Sequence, residues 1–96
     1  MGVEYVADKY VDLGERIHLR CVVRPKCDQD IPFTIKNARW ELYNSAGVLE
    51  DEGECEISGH ELDAMVQPKG TGRYKFKFIY EVADEIWVDP VKLRVN

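Results

Sequence analysis

Residues 69–80 read KGTGRYKFKFIY. A glycine-broken turn opens into strict alternation, with Tyr74, Phe76, Phe78 and Tyr80 at one parity and Arg73, Lys75 and Lys77 at the other. Side chains of an extended strand point to opposite faces in turn, so a period of two with rings on one side is a half-buried β-strand. A helix would scatter these rings around its circumference. The fold class then depends on whether the pattern recurs along the chain.

It does. RIHLRCVV puts Ile17, Leu19, Cys21 and Val23 on one face and Arg16, His18, Arg20 and Val22 on the other. KNARWELY does the same with Ala38, Trp40 and Leu42 against Asn37, Arg39, Glu41 and Tyr43. Cys55 pairs with Ile57, Leu62 with Ala64 and Val66, and VKLRV closes with Val91, Leu93 and Val95 inward. Turn signals separate the runs at 13–15, 24–32, 44–47, 58–60, 68–72 and 88–90. About seven short strands at this spacing predict an all-β, antiparallel sandwich or barrel. Residues 3–14 also fit a helical face through Val3, Val6, Tyr10 and Leu13, but their β-branched residues and short length favour a strand.

A chain of 96 residues makes one domain, spanning 1–96, with a single core. Its 45% hydrophobic and 32% charged residues are those of a folded globule rather than a disordered chain. Eighteen acids against 13 bases give a net charge of −5, which disfavours nucleic-acid binding, since that affinity comes from neutralising phosphates. No apolar run is long enough for a membrane span. The opening MGVEYVADKY lacks the basic and apolar regions of a signal peptide, so the expectation is cytoplasmic synthesis. Cys21, Cys27 and Cys55 are an odd count at irregular spacing, which is not a disulfide framework.

Taken together, a thiol on the second strand, Trp40 on the next and TGRYKF later resemble an immunoglobulin-like sandwich. The resemblance implies that Tyr74 is a tyrosine corner, its hydroxyl folding back onto backbone a few residues upstream. It sets Phe76 where antibody domains carry their second cysteine, so no inter-sheet disulfide forms there. Cys21, Trp40, Tyr74 and Phe76 are then the structural residues. The implied strand order sets Arg16 and Arg20 near Glu61 and Asp63, and Glu41 near Lys75 or Lys77. The whole pattern looks like the small modules of phage tail and baseplate components and of bacterial surface proteins. A sandwich of this kind hosts many functions, so the site must be argued from its own residues.

Catalytic signatures are poor. No nucleophile elbow, P-loop or H-E-x-x-H occurs, and neither His18 nor His60 has a Cys partner by parity or position. Cys21, Cys27, Cys55 and His60 lack the close ligand pairs of structural zinc. Residues 50–63 hold seven acids and no Lys or Arg. Glu50, Asp51, Glu52 and Glu54 could ligate calcium, but acids alternating on a strand diverge, and the spacing is not that of an EF-hand. The plain reading is a solvated strand face. Arg73, Lys75 and Lys77 form a basic face that either attracts an anion or complements the acidic strand. Residues 84–90, DEIWVDP, place Ile86, Trp87 and Val88 in a connection between the last two strands. They form a recognition tip, or Trp87 folds back as a lid on the core.

The expectation is therefore a non-catalytic structural or protein-interaction module needing no cofactor, acting through a protein partner or self-assembly, with no nucleic acid or membrane partner. A phage-like particle, with the chain virion-associated, or a bacterial surface would suit it. The alternative is a sandwich binding carbohydrate or calcium through the 84–90 tip or the 50–63 segment.

Overall fold

The computed structural model describes residues 9–23 and 34–96. Cys27 and residues 3–8 of the first predicted strand lie outside them. The described residues form eight strands: β1 (Lys9–Val11), β2 (Ile17–Val22), β3 (Ile35–Tyr43), β4 (Leu49–Glu54), β5 (Glu56–Ser58), β6 (Glu61–Val66), β7 (Gly72–Val82) and β8 (Glu85–Val95). A large sheet of order β1-β8-β7-β3-β4 and a small sheet of order β2-β6-β5 make a sandwich-like all-β arrangement. All pairings are antiparallel except β1 with β8, which run parallel.

One core lies between the sheets, and the alternation predicts its membership. Leu19, Leu62, Ala64 and Val66 enter from the small sheet, and Trp40, Leu42, Phe76, Phe78, Tyr80 and Leu93 from the large one. Trp40 stacks on Phe76 at 5.6 Å between centroids, and Phe76 meets Phe78 edge-on at 4.8 Å. Such ring pairs stabilise by about 0.5–1.5 kcal/mol beyond the area they bury. The close approach of Trp40 also explains a glycine in β4. A Cβ on Gly53 would lie 3.0 Å from the indole ring.

Eight strands rather than about seven result from residues 49–58 being two strands in different sheets. Cys55 donates its N–H to Ala38 at 3.0 Å, the last bond to β3, and the chain then crosses to pair with β6. Ile57, expected inward beside Cys55, is 40% exposed, because β5 is a short strand at the rim of the small sheet.

A second correction concerns the 84–90 connection. β7 and β8 form a hairpin in which Val82 pairs with Glu85, so only Ala83 and Asp84 lie in the turn. Ala83 adopts φ of 55°, a left-handed conformation in which hairpins favour glycine or asparagine. With neither residue there, the sequence does not advertise the turn. Residues 88–90, taken as a turn for the sake of Pro90, lie inside β8. Proline is tolerated because β1 pairs only with Leu93–Val95, leaving that edge of β8 open at Pro90 among the described residues.

Candidate functional site: the outer face of the large sheet

The register of β7 on β8 sets Arg73 opposite Arg94, Lys75 opposite Lys92, Lys77 opposite Pro90 and Ile79 opposite Val88. The alternate residues point into the core, so these eight side chains form a two-column ladder on the outside of the sheet. A fifth outward rung, Glu81 opposite Ile86, follows at the hairpin end, and two of the five rungs are cation on cation. Like charges directly opposite each other destabilise an antiparallel pair. Among the described residues, no carboxylate forms an ion pair with Arg73, Lys75 or Arg94. A chain of net charge −5 thus concentrates positive charge at one end of one face.

An open groove of about 520 Å³ lies over this end, lined by Arg73, Lys75, Lys77 and Lys92 with Tyr43 and Ser45. Its floor is firm. The Tyr43 hydroxyl donates to Glu41 at 2.7 Å, and Arg39 donates to the other oxygen of the same carboxylate at 2.6 Å. Those bonds, the Arg39 one foremost, hold Glu41 below the usual carboxylate range. Lys77 places its Nζ 5.0 Å from the centre of the Tyr43 ring. Toward the hairpin end the β8 column of this face turns apolar, with Glu81 of β7 opposite Ile86. Ile86 is 71% exposed and Val88 44%.

This placement divides the predicted recognition tip. Ile86 and Val88 point outward, whereas Trp87 between them points inward and is 9% exposed. Its ring meets Tyr80 edge-on at 5.8 Å, and its Nε1 donates to Glu85 at 2.8 Å. Strand alternation forbids the three from sharing a surface.

The acidic residues also separate. Glu50 accepts hydrogen bonds from the Lys69 N–H at 3.0 Å and from the Tyr74 hydroxyl at 2.6 Å. Asp51 accepts from the Glu52 N–H, while Glu52 and Glu54 lie opposite Glu41 and Arg39 on the outer face. Among the described residues, no three His, Cys, Asp or Glu side chains converge in a way that could hold a metal ion.

Of the structural residues, Tyr74 accepts from the Gly70 N–H at 3.0 Å, four residues upstream. Cys21 and Cys55 are free thiols facing the core. Burial foremost, then the hydrogen bond to Asp89, pushes Cys21 up to about 12, and burial pushes Cys55 up to about 11. Both are inert as nucleophiles near neutrality, since the thiolate is the reactive form.

Sequence reasoning missed Asp89. It is 8% exposed, and its Oδ2 accepts from Tyr80 at 2.7 Å and from Cys21 at 3.2 Å, bridging the two sheets. Burial, with this bond second, raises the Tyr80 hydroxyl well above its ordinary value. The Asp89 Oδ1 is buried without a hydrogen-bond partner. Its parity with Val91 and Leu93 was the available signal, hidden because 88–90 read as a turn. Comparison with known protein families, characterised proteins and solved structures returned no match.

Proposed function

We propose that this chain is a non-catalytic, immunoglobulin-like interaction module that engages a protein partner through the outer face of its large sheet. The strand order supports the immunoglobulin reading. With β2, β5 and β6 as strands B, D and E, and β3, β4, β7 and β8 as C, C′, F and G, the small sheet reads B-E-D and the large one G-F-C-C′ with β1 added in parallel beside G. The Tyr74 bond to Gly70 is the back-contact that a corner tyrosine makes. A role in a phage-like particle or on a bacterial surface follows from the resemblance alone.

The observation that carries the interaction reading is the juxtaposition on this face of exposed Ile86 and Val88 with the facing cations Arg73 and Arg94, which meet no carboxylate among the described residues. Neither stabilises the free chain. Exposed apolar area and facing like charges are tolerated where a partner covers the first and neutralises the second. A photo-crosslinking residue at Val88, compared with one at Met65 on the outside of the small sheet, tests it in cells that make the protein. A discrete adduct from position 88 and none from 65 is expected. Equal adducts from both positions, or none from either, would overturn the choice of face.

A further inference from the structure

The outward residues of β8 run Ile86, Val88, Pro90, Lys92, Arg94, so the strand's outer side passes from apolar to cationic along its length. Beside it β7 runs from Glu81, opposite Ile86, through Ile79, Lys77 and Lys75 to Arg73. Successive outward side chains on a strand are about 6.7 Å apart, two rises of roughly 3.3–3.4 Å. An extended peptide laid along these strands presents every second side chain at the same interval. It can therefore meet each rung with one residue, at matched spacing and with no distortion.

Resting on the interaction reading above, we propose that the ladder binds an extended segment of a partner protein whose alternate residues are acidic at one end and apolar at the other. The acidic side chains lie in the 520 Å³ groove among Arg73, Lys75, Lys77 and Lys92. The apolar ones cover Ile79, Val88 and Ile86. Charge complementarity sets the polarity of the segment, and the apolar rung sets where its acidic part must stop.

A nucleic acid meets this face less well. Glu41 lies opposite Lys77 on one side and Glu52 on the other, so a phosphate chain crossing the sheet runs into two carboxylates. A chain of either kind laid along β7 and β8 passes beside them, so the apolar rung is what separates the two. Ile79 and Val88 offer nothing to a phosphodiester, whereas apolar side chains gain from covering them.

The test is fluorescence anisotropy with a labelled peptide whose first half alternates glutamate with serine and whose second half alternates leucine with serine. Controls are the same peptide with glutamine for glutamate, and a short oligothymidylate. Saturable binding that weakens with salt is expected for the glutamate peptide. The double variant R73Q/K75Q should lose roughly tenfold in affinity. It relieves like-charge rungs, so an unchanged or higher thermal midpoint certifies its fold. Equal binding of the glutamine peptide, no loss in the double variant, or tighter binding of oligothymidylate would overturn the proposal. So would saturating self-association that the peptide fails to displace. A crosslink at Val88 with no glutamate-dependent binding separates the two ideas, because the face then stands and its acidic ligand falls.

Discussion

The two outer faces of this molecule handle charge in opposite ways. On the small sheet, Arg20 lies opposite Asp63, and that carboxylate accepts from Arg20 at 3.3 Å and hydrogen-bonds His18 at 2.9 Å. On the large sheet, Arg94 lies opposite Arg73 and Lys92 opposite Lys75. Both arrangements hang on the same core and follow from the same strand geometry. On the small sheet the Arg20–Asp63 pair is compensated within the chain, although Glu56 also lies opposite Asp63 there. On the large sheet Arg39 pairs with Glu41 toward β4, whereas Arg73 and Arg94 face each other and meet no carboxylate among the described residues. The contrast is between one compensated pair and one like-charge rung, Arg73–Arg94, to which the described residues bring no carboxylate.

Three substitutions probe that contrast, beginning with the largest effect. Tyr74→Phe removes the hydroxyl that ties the start of the cationic ladder to Gly70 and to Glu50 of β4. It leaves a part-buried N–H and a part-buried carboxylate oxygen without their partner, at a cost toward the low end of about 1–3 kcal/mol. Denaturant unfolding should show this loss, and binding of the glutamate peptide should weaken with it if the ladder loosens. Stability equal to the parent's would mean that the corner bond anchors nothing.

Asp63→Asn acts on the compensated face. The hydrogen bond from His18, ahead of that from Arg20, holds the Asp63 carboxyl below its ordinary range. A depressed folded-state value means that the stabilisation is present above the unfolded value, about 3.9, and is lost as pH falls through the folded one. The variant should therefore be less stable at neutral pH, by less than Tyr74→Phe, and should decline less steeply on acidification. Unfolding curves at neutral pH and at about pH 3 check both statements. A parallel acid decline in parent and variant would show that Asp63 contributes nothing by its charge.

Lys75→Glu is the smallest change and carries the opposite sign. It converts the Lys75–Lys92 rung into an opposite-charge pair, which should raise stability by about 0.2–1 kcal/mol. The thermal midpoint should rise while glutamate-peptide binding is lost. A destabilised variant would mean that the like-charge rung is already relieved within the chain, and the contrast between the faces would dissolve.

How far the site was legible in the sequence varied with the kind of feature. Arg73, Lys75 and Lys77 are visible as a basic face, because alternation within one strand is local. Their partners Lys92 and Arg94 are not, since they come from another strand and belong to the ladder only through the hairpin register. Ile86 and Val88 are legible as exposed apolar residues but were grouped with Trp87. The turn at Ala83–Asp84 lacks the residues that usually mark one, and the proline at 90 imitates a strand end. Asp89 was lost to the same displacement of the turn.

What the sequence determined by itself is the all-β class and, for β2, β3, β6, β7 and the end of β8, the side that faces the core. Period-two alternation of apolar and polar residues is a property of neighbouring residues, and a one-residue slip would turn every ring of β7 into water. Three things were decided only by the tertiary structure. The chain changes sheets at Cys55, a carboxylate at 89 bridges the two layers, and cations distant in sequence stand rung to rung. Each depends on which strands become neighbours and in what register, and that is settled by closing a common core around Phe76 and Phe78 rather than by any local run of residues.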